Sequence, residues 1–338
     1  MLDKKSFIHS QAAHCETGTV SNLLKHYGVN LSEPMIFGLS SGLTYAYVPF
    51  IKINGLPLMA YRIPPKLILK MLSSRIKGLR VKFETFKNEQ QGKKFLDKKL
   101  AQNVPVGLQT SVYFLPYFPK EMRFHFNAHN LIVFSKSERS EVESYHISDS
   151  VFSHLNIIES AHLSKARFAK GALAPKGSLY FLEEIPESIN FEKIIPKAIR
   201  FTGKTNGKFN PIPISGVLGM RRVANKIENL NKESTRYKQL FLGHIVRMQE
   251  EIGTGGAGFR YMYGAFLQES AKIINRPILE VWANEFISVG DKWRYFALLC
   301  AQISKNRGDS TLEKAASCLR DIADIELKLY NKMAKFKL

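Results

Sequence analysis

The stretch FIHSQAAHCETGTVSNLLKHYG, residues 7–28, carries the reading of the whole chain. Val20, Leu23, Leu24 and Tyr27 recur at helical spacing, and Gly28 stops the run. An amphipathic helix over 15–27 follows, with Cys15 at its start. Backbone amides at a helix N-terminus lack intrahelical acceptors, and the helix dipole is positive there. Both favour a thiolate, the form in which cysteine is a nucleophile. Glu16 puts a negative charge next door, which works against that form. A small buried cysteine packing the helix end is the other reading of the same position.

Outward from this helix the pattern changes twice. Residues 37–49, FGLSSGLTYAYVP, form a Gly/Ser-rich aromatic segment. Strand-like runs follow at 58–63, 79–86, 104–114, 130–135, 143–148 and 178–183. They are rich in Val, Ile, Phe and Tyr and bounded by Gly, Pro or polar clusters. One helix followed by antiparallel strands predicts an α+β fold. The region 184–215 holds Pro186, Pro196, Pro211, Pro213, Gly203 and Gly207 and reads as a linker. Beyond it, 221–251, 258–274, 278–289, 292–305 and 310–335 have apolar residues three or four apart. The expected organisation is an α+β domain over 1–185, a linker over 186–215 and an all-helical domain over 216–338.

Composition narrows the function classes. The chain has 338 residues, 45% hydrophobic, 23% charged and 11% aromatic, which excludes a disordered or collagen-like chain. Lys and Arg number 49 against 29 Asp and Glu, a net charge of +20. Residues 1–199 and 200–338 each carry +10, so no basic arm is set apart. Nucleic-acid binding needs a basic stripe with a reading element, and none stands out, so nucleic acid is not the expected partner. A dispersed positive surface suits an acidic protein or an anionic substrate, or simply solubility. Three cysteines lack the spacing of a zinc site or a disulfide framework. No metal is therefore expected, and the expected compartment is the reducing cytoplasm. Cys300 and Cys318 lie inside helical patterns and read as packing. No apolar run approaches the ~20 residues of a membrane span, and the first nine residues contain no secretory apolar stretch.

A base for Cys15 can be sought in AHNLIVFSKSERSEVESYHISDS, 128–150, which reads as a hairpin with its turn at 136–140. If the pairing centres near Arg139, His129 faces Asp149. Directly paired residues have Cβ atoms about 5 Å apart, within reach of a carboxylate–imidazole hydrogen bond. Such a carboxylate fixes the imidazole tautomer and stabilises its protonated form. A one-residue slip sends one of the two side chains to the other face. Among the other histidines, His146 should face the opposite side and His125 lies in the preceding loop. His9, Gln11 and His14 are candidates to donate to a developing oxyanion beside the Cys15 N–H. Each is equally readable as a hydrogen-bonded loop residue. His26, His154, His162 and His244 join no constellation.

The segment 9–50 resembles the N-terminal domain of the butirosin biosynthesis protein H family. The likeness rests on His14-Cys15, Asn22-Leu23-Leu24, Gly28, Leu31-Ser32-Glu33 and the run from Phe37-Gly38-Leu39 to Gly42-Leu43. The segment 252–270, IGTGGAGFRYMYGAFLQES, resembles the helical domain that usually follows in that family. The resemblance implies a papain-like, cysteine-peptidase-like α+β fold that performs acyl transfer. The donor would be an acyl-phosphopantetheine thioester on an acyl carrier protein, and the acceptor an amine or hydroxyl of a small molecule. No other cofactor is implied. Cys15 would be the nucleophile, His129 the base and Asp149 the orienter. Related peptidases place an oxyanion glutamine about six residues before the cysteine, where this chain has His9; Gln11 is four before.

One further candidate lies near the second helical segment. Gly253, Gly255, Gly256 and Gly258 precede a helix start near Phe259, with Arg260 beside them. Such a start can bind phosphate, here that of phosphopantetheine; a tight helix–helix turn is the competing reading. Tyr45 and Tyr47 are candidates to line or cover the substrate site. Alternatives to acyl transfer are a cysteine peptidase or amidase with the same triad, or a non-catalytic binding protein. The oligomeric state is open, a homodimer included.

Overall fold

A computed structural model describes residues 7–53, 55–137, 142–252 and 255–337. The chain runs α1 (Cys15–His26), α2 (Glu33–Leu39), β1 (Leu43–Ile53), β2 (Leu56–Arg62), α3 (Leu67–Arg75) and β3 (Arg80–Glu84). Then follow α4 (Glu89–Ala101), β4 (Val106–Thr110), β5 (His129–Ser137), β6 (Ser144–Ser148), β7 (Asn156–Glu159), α5 (Ser160–Arg167) and β8 (Leu179–Glu184). The remainder is mostly helical: α6 (Phe191–Asn206), α7 (Gly216–Glu228), α8 (Thr235–Val246), α9 (Arg260–Ile273), α10 (Ile278–Ser304) and α11 (Leu312–Ala334). The α+β class expected from the sequence is what the chain adopts.

Two compact units form, and they do not follow chain order. One takes Met1–Ile36 and Leu72–Ile189; the other takes Phe37–Met71 and Asn190–Leu338. The aromatic segment 37–49 thus enters a hairpin, β1 against β2, that belongs with the helices. The expected all-helical unit therefore includes a two-stranded sheet. The expected linker 186–215 is largely helix α6, with Pro196 inside it. A proline there removes one backbone hydrogen bond. Burial of Ile194, Ile195, Ala198 and Ile199 on one face offsets the loss. The expected helix over 221–251 is interrupted by a 3₁₀ turn at Asn229–Lys232, after which Ser234 caps α8 by accepting from Tyr237 N–H.

The first unit is built on a six-stranded sheet in the order β3-β8-β4-β5-β6-β7, every neighbour antiparallel. Leu108, Leu131, Val133, Ile147 and Leu179 pack with Leu96 and Leu100 of α4 and with Leu163 and Ala166 of α5. Each fully buried Leu or Val contributes about 1.5–3 kcal/mol, so this layer holds the sheet. Helix α1 packs on β5 and β4. Tyr180 of β8 sits beside Cys15 and Glu16 of that helix.

The β5–β6 register differs from the one expected. Ile132 pairs with Ser148 and Val133 with Ile147, with an irregularity before Ser135. Continued past Ser148, this register sets Leu131, not His129, opposite Asp149. The offset is two residues, and side chains alternate with period two, so His129 and Asp149 keep the same face as diagonal neighbours. Lys136 and Ser137 belong to β5 rather than to the turn; residues 138–141, with Arg139, lie outside the described residues.

Candidate active site

Helix α1 starts at Cys15 because the residue before it caps the helix. His14 has extended backbone angles, and its ring accepts a hydrogen bond from Thr17 N–H. At the other end Gly28 takes φ +85°, a left-handed conformation that suits glycine and ends the helix. The segment before Cys15 is held by Glu33 at the start of α2. Its carboxylate accepts from Ala13 N–H at 3.0 Å, His14 N–H at 2.7 Å and the Thr17 hydroxyl at 2.9 Å. Burial pushes the Glu33 carboxyl above its ordinary value, while these three donors pull it down.

A second set of bonds laces residues 9–12 to residues 148–152. Ala12 N–H donates to Ser150 O at 2.8 Å, and the Gln11 amide donates to Val151 O at 3.0 Å. His9 spans Ser148 Oγ at 2.7 Å and Phe152 O at 3.0 Å. A carbonyl only accepts, so His9 Nε2 carries the proton, and in the neutral ring Nδ1 accepts from the Ser148 hydroxyl. Gly18 lets the two segments approach: a Cβ there would stand 2.4 Å from Ala12 Cβ and 2.7 Å from Ser150 Oγ. The lacing fixes the helix start beside the residues that follow β6.

His129 opens β5 and is 3% exposed; Asp149 is fully buried and Cys15 is 8% exposed. His129 Nε2 donates to Asp149 Oδ2 at 2.7 Å. The same ring hydrogen-bonds the Cys15 side chain. With Nε2 committed to the carboxylate, Nδ1 is the nitrogen left for the sulfur. Asp149 Oδ2 also accepts from the Tyr117 hydroxyl at 2.9 Å, and Oδ1 accepts from Val151 N–H at 3.1 Å. The Phe118 ring meets the imidazole edge-on at 5.4 Å. Burial lowers the His129 pKa, but the adjacent Asp149 charge and hydrogen bond, with Cys15, outweigh it and raise it to about 10. These surroundings thus favour the protonated ring. An imidazolium against a sulfur at a helix start is the setting of a nucleophilic thiolate.

The three residues Cys15, His129 and Asp149 are brought together; the other predicted residues are not in the same position. His9 donates its ring N–H to Phe152 O, and the Gln11 amide uses one of its two N–H groups on Val151 O, so both stitch this segment to residues 151–152. His14 is a helix cap. His125 stacks on Tyr113 at 4.1 Å, and His146 lies by Phe134. Sequence reasoning missed Tyr117, which sits in an aperiodic loop, and Glu33, whose value lies in a contact twenty residues away.

The Gly-rich segment belongs to the second unit. Gly253 lies outside the described residues. Gly255, Gly256 and Gly258 take positive φ. The Ala257 amide within this turn already donates to the Glu250 carboxylate, at 3.2 and 3.1 Å to its two oxygens. The Glu250 carboxylate therefore occupies the Ala257 amide. Arg260 is 0% exposed and pairs with Glu326 through Nε at 2.8 Å and Nη2 at 2.9 Å. Its guanidinium also lies 4.5 Å from the Trp293 ring centre. Tyr45 and Tyr47 are buried in this unit, Tyr45 against Tyr61 and Trp293. Arg260 and Tyr45 are thus held by partners within this unit. Among the described residues, no group of His, Cys, Asp and Glu could hold a metal ion, and no helix is long and apolar enough to cross a membrane.

Comparison with known proteins adds a family to this geometry. Residues 14–150 match the family described as "Butirosin biosynthesis protein H, N-terminal". A crystal structure of a chain from Bacillus anthracis, described as a C39-like peptidase, is similar at 11% identity and a TM-score of 0.37, covering 55% of this chain and 98% of that one. No curated protein matches. Residues 161–333, just over half of the chain, match the model of the domain of unknown function DUF4872, and the chain belongs to that family.

Proposed function

We propose that the protein is a cysteine-dependent acyltransferase of specialised-metabolite biosynthesis. It would take an acyl group from a carrier-protein thioester and pass it to an amine or hydroxyl through an acyl-Cys15 intermediate. The observation that carries this reading is the contact of one buried imidazole with both the Cys15 side chain and the Asp149 carboxylate. The match of residues 14–150 to a biosynthetic family supports the choice of acyl transfer.

The chemistry starts from the contact of Cys15 with His129. The Cys15 thiolate attacks the thioester carbonyl, and the carbon–sulfur bond to the pantetheine arm breaks. His129 gives its proton to the departing thiolate, leaving a neutral ring and an acylated Cys15. Exchange of one thioester for another costs little. The neutral ring then takes a proton from the incoming amine or alcohol as that group attacks, and Cys15 leaves as thiolate. Asp149 keeps the ring in one orientation through both steps. The Cys15 amide, in the first helical turn, would donate to the oxyanion. Carrier proteins are acidic, so a net charge of +20 raises their encounter rate.

The test is intact-mass measurement after incubation with an acyl-carrier thioester. The wild type gains the mass of the acyl group, the adduct disappears on adding amine, and Cys15→Ala gains nothing. Full transfer by Cys15→Ala would end this reading. Release of free acid with amine present, and no amide, would instead favour hydrolysis by the same triad.

A further inference from the structure

We propose that Tyr117 is a positioning residue of this site: its hydroxyl anchors the Asp149 carboxylate and shares the charge that the carboxylate presents to His129. The proposal rests on the reading of Cys15, His129 and Asp149 as the reacting group.

The geometry is specific. Tyr117 and His129 donate to the same oxygen, Asp149 Oδ2, at 2.9 and 2.7 Å. Val151 N–H holds the other oxygen. The carboxylate therefore has three donors and one orientation. Burial first, then the Asp149 charge, keeps the Tyr117 hydroxyl well above its ordinary pKa, so it remains a donor throughout the working range. Pro116 and Pro119 bracket Tyr117 and Phe118, and Phe118 N–H donates to Leu115 O at 3.2 Å, which fixes the turn. Phe152 meets both rings edge-on, Tyr117 at 5.5 Å and Phe118 at 4.9 Å. These apolar rings replace water around the pair, where charge interactions are stronger. The ionisable groups that face His129 are Cys15 from α1, Asp149 beyond β6 and, through Asp149, Tyr117. Glu16 and Tyr180 stand next to Cys15.

Two donors on one oxygen compete. A phenol that takes part of the charge leaves less for the imidazolium. Its removal concentrates the charge on His129 Nε2–H and makes the imidazolium harder to deprotonate. A residue that only filled space would not move this titration.

The experiment follows the His129 ring by NMR of histidine-labelled protein across pH, with the signal assigned by its loss in His129→Gln. In Tyr117→Phe the midpoint rises by about half to one pH unit, less than the full worth of one hydrogen bond to a charged group because the phenol acts on the ring through Asp149. The same substitution in an Asp149→Asn background leaves the midpoint where Asp149→Asn put it. An unchanged or lowered midpoint in folded Tyr117→Phe overturns the proposal. Should that variant not fold, wild type grown with fluorotyrosine carries a stronger phenol donor, and its midpoint must fall; no fall overturns the proposal equally. The underlying triad fails by a different result: iodoacetamide alkylation of Cys15 at the same rate in His129→Gln as in wild type.

Discussion

Two buried charge networks, one in each unit, show how differently a protein can use the same ingredients. In the second unit Arg260 and Glu326 are both 0% exposed and joined by two hydrogen bonds. Trp293 Nε1–H and the Tyr330 hydroxyl donate to the remaining acceptor sites of Glu326, and Arg260 Nη1 donates to Gly258 O. That network is closed on every side and has no reactive end. In the first unit the chain Tyr117–Asp149–His129 has a buried acid and imidazole and a partly buried phenol, and it ends on a sulfur at a helix start. Satisfied polar groups alone therefore say little about chemistry. A network whose last member is a nucleophile says much more.

The contrast can be broken or sharpened by substitution. Asp149→Asn keeps the shape but removes the charge, and acyl transfer should fall roughly a thousandfold or more, measured as the single-turnover rate of acyl loss from Cys15. A loss below tenfold would put Asp149 among spectators. Glu326→Gln leaves the Arg260 charge buried without its counter-ion. It should lower unfolding free energy by about 3–5 kcal/mol in denaturant melts, and a change under 1 kcal/mol would mean the network is dispensable. Gly18→Ala forces a Cβ into Ala12 and Ser150. It should cost about 1–3 kcal/mol and slow Cys15 alkylation, because the lacing that places the sulfur is pushed apart.

A separate effect expected is one of pH. The folded-state pKa of His129 is raised from 6.5 to about 10. A raised histidine stabilises the fold fully below about 6.5 and loses that contribution as pH climbs to about 10. The stability difference between wild type and His129→Gln should therefore shrink across this window. A difference that is flat from pH 6 to 10 would show that the ring is neutral in the fold. The remaining cysteines sharpen the same point: burial pushes the Cys300 thiol up, and burial with Asp321 pushes Cys318 up to about 11. Peptide mapping after brief alkylation at neutral pH should find the label at Cys15.

The legibility of the site varied with the range of the interaction. Cys15 at a helix start was readable because apolar spacing and Gly28 are local signals. His129 and Asp149 were found from a hairpin argument whose register was two residues off, and they survived because an even slip conserves the face. The bonds that His9 and Gln11 make were not legible, since their partners, Ser148, Val151 and Phe152, lie about 140 residues away. Proline-rich 186–215 suggested a linker, yet the buried face of α6 outweighed one lost hydrogen bond. Arg260 looked like a phosphate ligand only because Glu326 is distant in sequence.

By itself the sequence determined the α+β class, the place of Cys15 at the start of the first helix and the likeness of two segments to the motifs of one family, all of which depend on neighbours a few residues apart. Tertiary structure alone decided that 37–71 folds with the helices, that Glu33 and Tyr117 brace the site, and that the glycine turn carries its own anion. The reason is that a hydrogen bond or an ion pair selects its partner by distance in space, and the chain brings those atoms together only after its apolar faces have chosen what to bury.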